Sequence, residues 1–331
     1  MLKVAVLDDY QNVTKKFGNW SELDGKINLK IFNKYFDDTN ELVKHLSDFD
    51  VLCLMRERTL LSSSIINQLS KLKLVITTGM WNPSVDINSL NKRKIVFCGT
   101  DNRTESTAEL SWLLTQVVWR NIFQEFVNMK NGDWQTSIGR TLFGKTLGIF
   151  GLGKQGKQVA RFGKAFGMNV IAWSHNLTKE ICDLENVTLV SSDEMFKFSD
   201  VLSIHTKLSE RTKGYIDFSK INMMKKTSII INTSRGPIIN EKDLINSIKN
   251  HSISGVGLDV YDVEPLPEKH EFRELTNNYN VVLTPHLGYV SSETYEKFHQ
   301  GYVDAITSYI NGKPINVLNY FSSFLTTNLD V

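Results

Sequence analysis

Three glycines in Gly151-Leu152-Gly153-Lys154-Gln155-Gly156 carry the spacing with which a backbone can cradle a pyrophosphate. An apolar run, 147–150, precedes them; a helical pattern with Val159, Phe162 and Phe166 on one face follows and stops at Gly167; a second strand pattern covers 169–173. Strand, turn, helix and strand within about 30 residues is the context that lifts this motif above a chance glycine turn. Gly151 then permits the tight turn, Gly153 lets the backbone approach the phosphates, and Gly156 allows helix and strand to pack closely. The phosphates would rest on the free N–H groups of the helix start, at Lys154, Gln155 and Gly156, and on its positive dipole end.

Three more residues carry chemistry of a different kind. Arg235 offers the planar two-pronged donor that suits a carboxylate. His286 can give or take a proton near neutral pH. Glu264, if it pairs with His286, would favour the imidazolium and fix its tautomer. A cation for the carboxylate and keto oxygen, a proton donor for the new hydroxyl and a hydride source are what the reduction of a 2-keto acid requires. Taken singly, Arg235 and His286 read equally well as a salt bridge and a loop histidine with a local partner, and Glu264 reads better as a solvated loop carboxylate; together they favour the chemistry. The chain has no Cys/His/Asp group at metal-ligand spacing and no G-x-S-x-G elbow, so no metal is expected.

The elements that must position these groups come from a chain of 331 residues, long enough for two domains. With 38 basic and 36 acidic residues, nothing in the totals points to nucleic acid. There is no secretory signal pattern, no apolar run near the ~20 residues of a membrane span, and three scattered cysteines in apolar settings. The expectation is a cytoplasmic protein with no membrane or nucleic-acid partner. Residues 3–7, 28–32, 51–55, 74–77 and 95–98 read as strands, with helices over 39–46 and 62–69 among them, which implies a small parallel α/β unit. One long helix is expected over 106–129, with Leu110, Leu113, Leu114, Val117 and Val118 on its apolar side. Strands follow near Leu147, Asn169, Val187, Asp200, Ser228, Gly255 and Asn280, a full dinucleotide-binding sheet. A helix over 291–310 closes at Asn311-Gly312 and is expected to return to the first domain. The tail 321–331 has no clear assignment. His45, His251, His270 and His299 are expected at the surface.

Four segments, in order at predicted strand ends, resemble the D-isomer-specific 2-hydroxyacid dehydrogenase family, phosphoglycerate dehydrogenases included. They are Thr107-Ala108-Glu109-Leu110, Ile231-Asn232-Thr233-Ser234-Arg235-Gly236, Leu258-Asp259-Val260-Tyr261-Asp262-Val263-Glu264-Pro265 and Thr284-Pro285-His286-Leu287-Gly288. The resemblance implies an α/β fold of two Rossmann-like, doubly wound parallel-sheet domains with a cleft between them. A discontinuous substrate domain (1–104 and 288–331) would enclose a dinucleotide-binding domain (105–287). It also implies NAD(H) or NADP(H) as cofactor, a small 2-keto or 2-hydroxy acid as substrate, and a homodimer joined through the cofactor domains. Arg235, Glu264 and His286 become the catalytic set. Thr233, Asp259 and His205, which ends the strand near Val201, become cofactor neighbours.

The chain departs from the family pattern in places that bear on specificity. The second strand of the glycine motif lacks its terminal acid and ends Trp173-Ser174-His175-Asn176. Ser174 and Asn176 could bond either a ribose or a 2′-phosphate, and His175 or Lys179 could supply positive charge, so NADP(H) tolerance is expected. In the first domain the family's glycine-rich substrate loop becomes Thr78-Gly79-Met80-Trp81, keeping one glycine and adding bulk. Arg56 and Arg58 could add positive charge there, or form an ion-pair face. Met80, Trp81 and Tyr289 together suggest a substrate other than the smallest keto acids. No regulatory domain, and so no serine feedback, is expected. A dinucleotide-sensing binding protein, like the corepressors that share the fold and the Arg/Glu/His set, is the alternative to an enzyme.

Overall fold

Alternating short apolar runs and capped helices give two parallel-sheet units in the computed structural model, which describes residues 1–319; the tail 321–331 lies outside the described residues. The first unit begins with β1 (Leu2–Val6), β2 (Ile27–Ile31), α1 (Thr39–Leu46), β3 (Val51–Leu54), α2 (Ser63–Gln68), β4 (Leu74–Thr77), α3 (Ile87–Lys92) and β5 (Val96–Gly99). Asp38 starts α1 by accepting from the backbone N–H groups of Asn40 (2.6 Å) and Glu41 (3.1 Å), two donors the helix itself cannot satisfy. The helix α3 lies where the sequence reading assigned none; its six residues carry too short a pattern to register.

The second unit runs through α4 (Glu105–Trp119), α5 (Ile122–Lys130), β6 (Thr146–Phe150), α6 (Lys154–Ala165), β7 (Asn169–Trp173), α7 (Lys179–Leu184), β8 (Thr188–Leu189), α8 (Ser192–Phe198), β9 (Val201–Ile204), α9 (Phe218–Asn222), β10 (Ile229–Asn232), α10 (Glu241–Lys249), β11 (Gly255–Leu258), α11 (Glu271–Leu275) and β12 (Val281–Leu283). The chain then returns to the first unit as α12 (Ser292–Ile310). The chain divides after Arg103 and after Val290, rather than after 104 and 287.

In the first unit the strand order is β2-β1-β3-β4-β5 and every pairing is parallel. Residues of β3 and β4 are buried throughout, as a parallel sheet covered on both faces demands. Alternation divides them: Leu52, Leu54 and Val75 pack with the apolar faces of α1 to α3, whereas Val51, Cys53 and Ile76 pack with Tyr302, Val303 and Ile306 of α12. The second unit has the order β12-β11-β10-β9-β6-β7-β8, again all parallel. Here Ile149, Ile229 and Ile231 meet Leu114 and Val118 of α4, and the opposite face holds Ile204, Ile230 and Val256 against Leu244 and Ile248 of α10.

Two expectations need correction. The helix read over 106–129 is two helices, because Asn121 takes a left-handed backbone (φ 53°) that ends α4 and starts α5. Asparagine tolerates that conformation, which a hydrophobic pattern does not reveal. The buried side of α4 is carried by Ala108, Trp112, Leu114 and Val118, whereas Leu113 is exposed and α5 buries nothing. The second correction is His299. It is fully buried on α12, enclosed by Phe17, Trp20, Tyr295 and Tyr302 at ring-centroid distances of 6.3, 6.5, 5.9 and 5.5 Å.

Neither ring nitrogen of His299 has a hydrogen-bond partner. Burial therefore pushes its pKa from 6.5 down to about 4, against the opposing pull of Asp9. The unfolded ring takes up its proton first as pH falls. The stability this neutral ring retains is complete above pH 6.5 and is lost as pH drops toward 4, a change on the order of 3 kcal/mol. In chemical denaturation compared at about pH 7 and about pH 4.5, His299→Phe is expected to lose less stability than the wild type. An unchanged difference would remove His299 from the acid response.

Candidate active site

Arg235, Glu264, His286 and the glycine turn all follow the carboxyl ends of strands, on one edge of the sheet of the second unit. Successive strands of the sheet run outward from β6, to β7 on one side and β9 on the other. That reversal of strand order is where a doubly wound sheet opens a crevice for a ligand. The glycine turn occupies it. Gly151 has φ 100°, and a Cβ on it would come within 2.8 Å of the backbone N of Thr206, so only glycine lets the turn lie against the end of β9. At Gly156 a Cβ would meet the Gly151 carbonyl oxygen at 2.1 Å, which fixes α6 close to the turn. Nothing lies within 4 Å of a Cβ on Gly153. That glycine is the N-cap of α6 with no side-chain cap and no acidic residue in the first turn, leaving N–H groups at Lys154, Gln155 and Gly156 for an anion.

Two buried polar atoms at the ends of the neighbouring strands β9 and β10 lack partners. His205, after β9, shares a hydrogen bond between its Nε2 and Ser203 Oγ (2.8 Å), and that hydroxyl in turn lies 3.2 Å from Ser111 Oγ on α4. Its Nδ1 is buried and unbonded. The ring, more enclosed than the residue as a whole, is held neutral by burial, with a pKa near 4. Thr233 Oγ1, after β10, is likewise buried and unbonded. Orphaned groups of this kind cost free energy unless a ligand completes them. A dinucleotide, with phosphates for the helix start and polar groups for His205 and Thr233, fits these residues.

Glu264 and His286 meet beyond the ends of β11 and β12. His286 Nδ1 lies 2.5 Å from Glu264 Oε2, and both side chains are largely enclosed, 17% and 28% exposed. The other oxygen, Oε1, accepts from the backbone N–H of Tyr261 at 2.9 Å. With Nδ1 committed to a carboxylate, the remaining proton of the ring is carried or released at Nε2, which makes no hydrogen bond among the described residues. Asp259 steadies the same loop: its buried carboxylate accepts from Thr284 Oγ1 (2.6 Å), Leu287 N (2.6 Å) and Gly288 N (2.8 Å). Burial raises its pKa; the Thr284 hydrogen bond and the His286 charge oppose that rise.

Arg235 stands after β10, the neighbour of β11, and its Nη1 donates to the Ser234 carbonyl at 2.7 Å. Two residues that the sequence reading did not single out hold these loops. Asn232 accepts from Ser234 N (3.0 Å) and donates to Arg235 O (3.0 Å), fixing the backbone on either side of the guanidinium-bearing residue. Tyr261 donates its hydroxyl to the carbonyls of Leu258 (3.1 Å) and Thr284 (2.9 Å), tying the Glu264 loop to the His286 loop. Both lie within the quoted motifs, where a polar residue at a strand end was the available signal. Gly236 completes the packing: a Cβ there would sit 2.1 Å from the Tyr261 carbonyl carbon, so the Arg235 loop lies directly on the Glu264 loop.

Residues 112–288 match the family described as D-isomer specific 2-hydroxyacid dehydrogenase, NAD binding domain. The chain belongs to the D-isomer-specific 2-hydroxyacid dehydrogenase family. It is 35% identical to a D-3-phosphoglycerate dehydrogenase of Methanocaldococcus jannaschii over 76% of this chain and 48% of that protein. To a hydroxypyruvate reductase of Thermotoga maritima it is 34% identical, over 82% of this chain and 88% of the relative. A crystal structure of phosphoglycerate oxidoreductase from Vibrio cholerae superposes with a TM-score of 0.89 at 30% identity, covering 94% of this chain and all of the other. The chain spans about half the length of the first curated relatives it matches, 48% and 51%.

The segment after β7, which carries no terminal acid, is built around aromatic rings. Beyond β7, Trp173 stacks on Tyr215 (5.2 Å, 18°), and the exposed His175 lies 4.9 Å from Trp173 and 5.4 Å from Tyr215. Ser174 accepts through its carbonyl from Leu177 N at 3.1 Å, closing the turn. Lys179 pairs with Asp183 at 2.6 Å, which engages one of the two expected positive groups.

In the first unit, the residues expected to contact substrate form one cluster at the ends of β3 and β4. Arg56 has φ 53°; its backbone N–H donates to Thr78 Oγ1 (2.8 Å) and its Nη1 to the Thr78 carbonyl (2.9 Å). A Cβ on Gly79, which has φ 84°, would lie 2.2 Å from Arg56 Nη1, so the guanidinium covers a position only glycine can fill. Met80 and Trp81 follow with exposed side chains. Among the described residues no group of His, Cys, Asp or Glu could hold a metal, and no helix is long and apolar enough to cross a membrane.

Proposed function

We propose that this chain is an NAD(P)-dependent oxidoreductase that interconverts a 2-keto acid and a D-2-hydroxy acid. The observation that carries the reading is the Glu264–His286 pair, with Nε2 left to exchange a proton. A bound reduced nicotinamide supplies the hydride for the keto carbon. Arg235 holds the substrate carboxylate and draws charge toward the keto oxygen, so the oxygen that gains charge during reduction meets a fixed cation. His286 donates the Nε2 proton to that oxygen, and Glu264 stabilises the ring while it is charged. In the oxidative direction the neutral ring takes the proton back. A screen of NADH and NADPH oxidation over glyoxylate, hydroxypyruvate, pyruvate, phenylpyruvate and 3-phosphohydroxypyruvate tests the reading; consumption with none of them would sink it.

NADP(H) is accepted at least as well as NAD(H). The support is the absence of a carboxylate at Ser174, which removes the charge that would repel a 2′-phosphate. Fluorescence titration is expected to give a Kd for NADPH no higher than for NADH, and Ser174→Asp is expected to weaken NADPH at least about tenfold while sparing NADH. A clear wild-type preference for NADH would overturn the assignment.

The enzyme acts as a homodimer joined through its cofactor units. Leu113, Phe123, Phe126, Met129, Trp134 and Ile138 are exposed on α4, α5 and the segment that follows, between 46% and 93%, and so much apolar surface in one stretch calls for a cover. A second copy of the same stretch supplies it with twofold symmetry. In light-scattering chromatography, Phe126→Asp is expected to elute as a monomer; a wild-type monomer would contradict the proposal.

A further inference from the structure

On the dinucleotide-binding reading above, we infer that His205 donates a hydrogen bond from its Nδ1 to an acceptor oxygen of the cofactor, and that Ser203 and Ser111 hold the ring in the tautomer that can do so. All three residues belong to the second unit. His205 is the first residue after β9, at the crevice where the strand order reverses, and its backbone N–H donates to the Phe150 carbonyl at 2.8 Å. A Cβ on Gly151 would come within 2.9 Å of its carbonyl carbon, so the residue adjoins the glycine turn.

The tautomer follows from where three buried groups can place their protons. Ser111 and Ser203 are fully buried, on α4 and β9. Ser111 Oγ lies 3.2 Å from Ser203 Oγ and makes no other hydrogen bond among the described residues. Ser203 Oγ has one further partner, His205 Nε2, at 2.8 Å. Each hydroxyl has a single proton to give. If Ser203 gave its proton to Ser111, the Ser111 proton would be buried with nothing to accept it, which is unfavourable. Ser111 therefore donates to Ser203, and Ser203 donates to Nε2. A ring nitrogen that accepts carries no proton, so the neutral imidazole carries its proton on Nδ1. Burial holds the ring neutral, with a pKa of about 4, so at neutral pH the two serines decide its tautomer and not its charge.

Nδ1 is then a buried N–H donor with no acceptor among the described residues. A donor left in that state selects a ligand that brings an oxygen to it and disfavours one that brings a second donor. Phosphate, ribose and carboxamide oxygens are the acceptors that a dinucleotide offers. Because the donor is uncharged and adjoins the glycine turn, it serves NAD(H) and NADP(H) alike.

Long-range proton–nitrogen correlation spectra of the isotopically labelled wild type at about pH 7 test the tautomer before any cofactor is added. The His205 signals are identified by their loss in His205→Asn. The expected pattern is a protonated Nδ1 and a bare Nε2; a ring protonated on Nε2 overturns the inference. Ser203→Ala removes the donor to Nε2, and is expected to bring the second tautomer into the spectrum and to raise the Kd for NADH and NADPH about threefold. In fluorescence titration, His205→Phe keeps a planar ring without the donor and is expected to raise both Kd values about tenfold. His205→Asn, whose amide N–H can stand where Nδ1 stood, is expected to recover most of that loss. Wild-type affinity in His205→Phe overturns the donor role while leaving the dehydrogenase reading standing. Wild-type protein that binds neither cofactor removes the dinucleotide reading, and this inference with it.

Discussion

Arg235→Ala is expected to lower kcat/KM for every accepted keto acid about a thousandfold while leaving the Kd for NADPH within about twofold. The split follows from where the groups stand. The proposed phosphate cradle is backbone at Gly151 to Gly156, on a different strand end from Arg235. Loss of the guanidinium would, in the proposed reaction, remove the partner of the carboxylate and of the charge that grows on the keto oxygen, and nothing that touches the glycine turn. Asn232 and Gly236 hold the Arg235 backbone independently of its side chain, so the loop should keep its course in the variant. Arg235→Lys separates geometry from charge: a compact ammonium cannot engage both oxygens of a carboxylate, and it is expected to recover only part of the loss. Stopped-flow reduction with cofactor titration on the same samples decides it. Parallel loss of cofactor binding would mean that Arg235 supports the fold of the site rather than the reaction.

His286→Ala is expected to cost about 10²- to 10⁴-fold in kcat, the range in which positioned proton transfer contributes. Under the proposed mechanism, reduction uses the protonated ring and slows as pH rises, whereas oxidation uses the neutral ring and slows as pH falls. Both dependences should disappear from the variant's rate profile. Glu264→Gln tests the pairing: it keeps an acceptor for Nδ1–H and removes the charge that stabilises the imidazolium. The kcat for reduction is then expected to fall with KM little changed. If the His286→Ala profile keeps the wild-type shape, another group carries the proton.

Much of the second unit could be read from sequence because its signals are local. A glycine at φ 100° and a helix with no acidic residue in its first turn leave marks at fixed positions around the turn. Strand ends carrying Arg235, Glu264 and His286 stand in order along the chain. The contact between Glu264 and His286 could be anticipated only as a possibility, since it depends on β11 and β12 lying side by side. Asn121 was missed because one left-handed residue breaks a helix without interrupting its apolar run. The burial of His299 is hidden from the sequence because half of its cage, Phe17 and Trp20, comes from far away along the chain. The engagement of Arg56 is equally invisible in the sequence: a cation's partners decide whether its charge is available, and Thr78 lies on a different strand end.

The return of α12 to the first sheet also sets an order of events during synthesis. Tyr302, Val303 and Ile306 cover one face of the sheet built from the first hundred or so residues, yet they leave the ribosome only after the whole of the second unit. Until then Val51, Cys53 and Ile76 have no lid on that face, although the strands that carry them are already available to pair. The second unit is continuous in the chain and can close its own core first. The half-domain made earliest is thus the last to mature, and the nascent chain carries an uncovered apolar sheet through most of its elongation, the interval in which chaperone engagement has the most to protect.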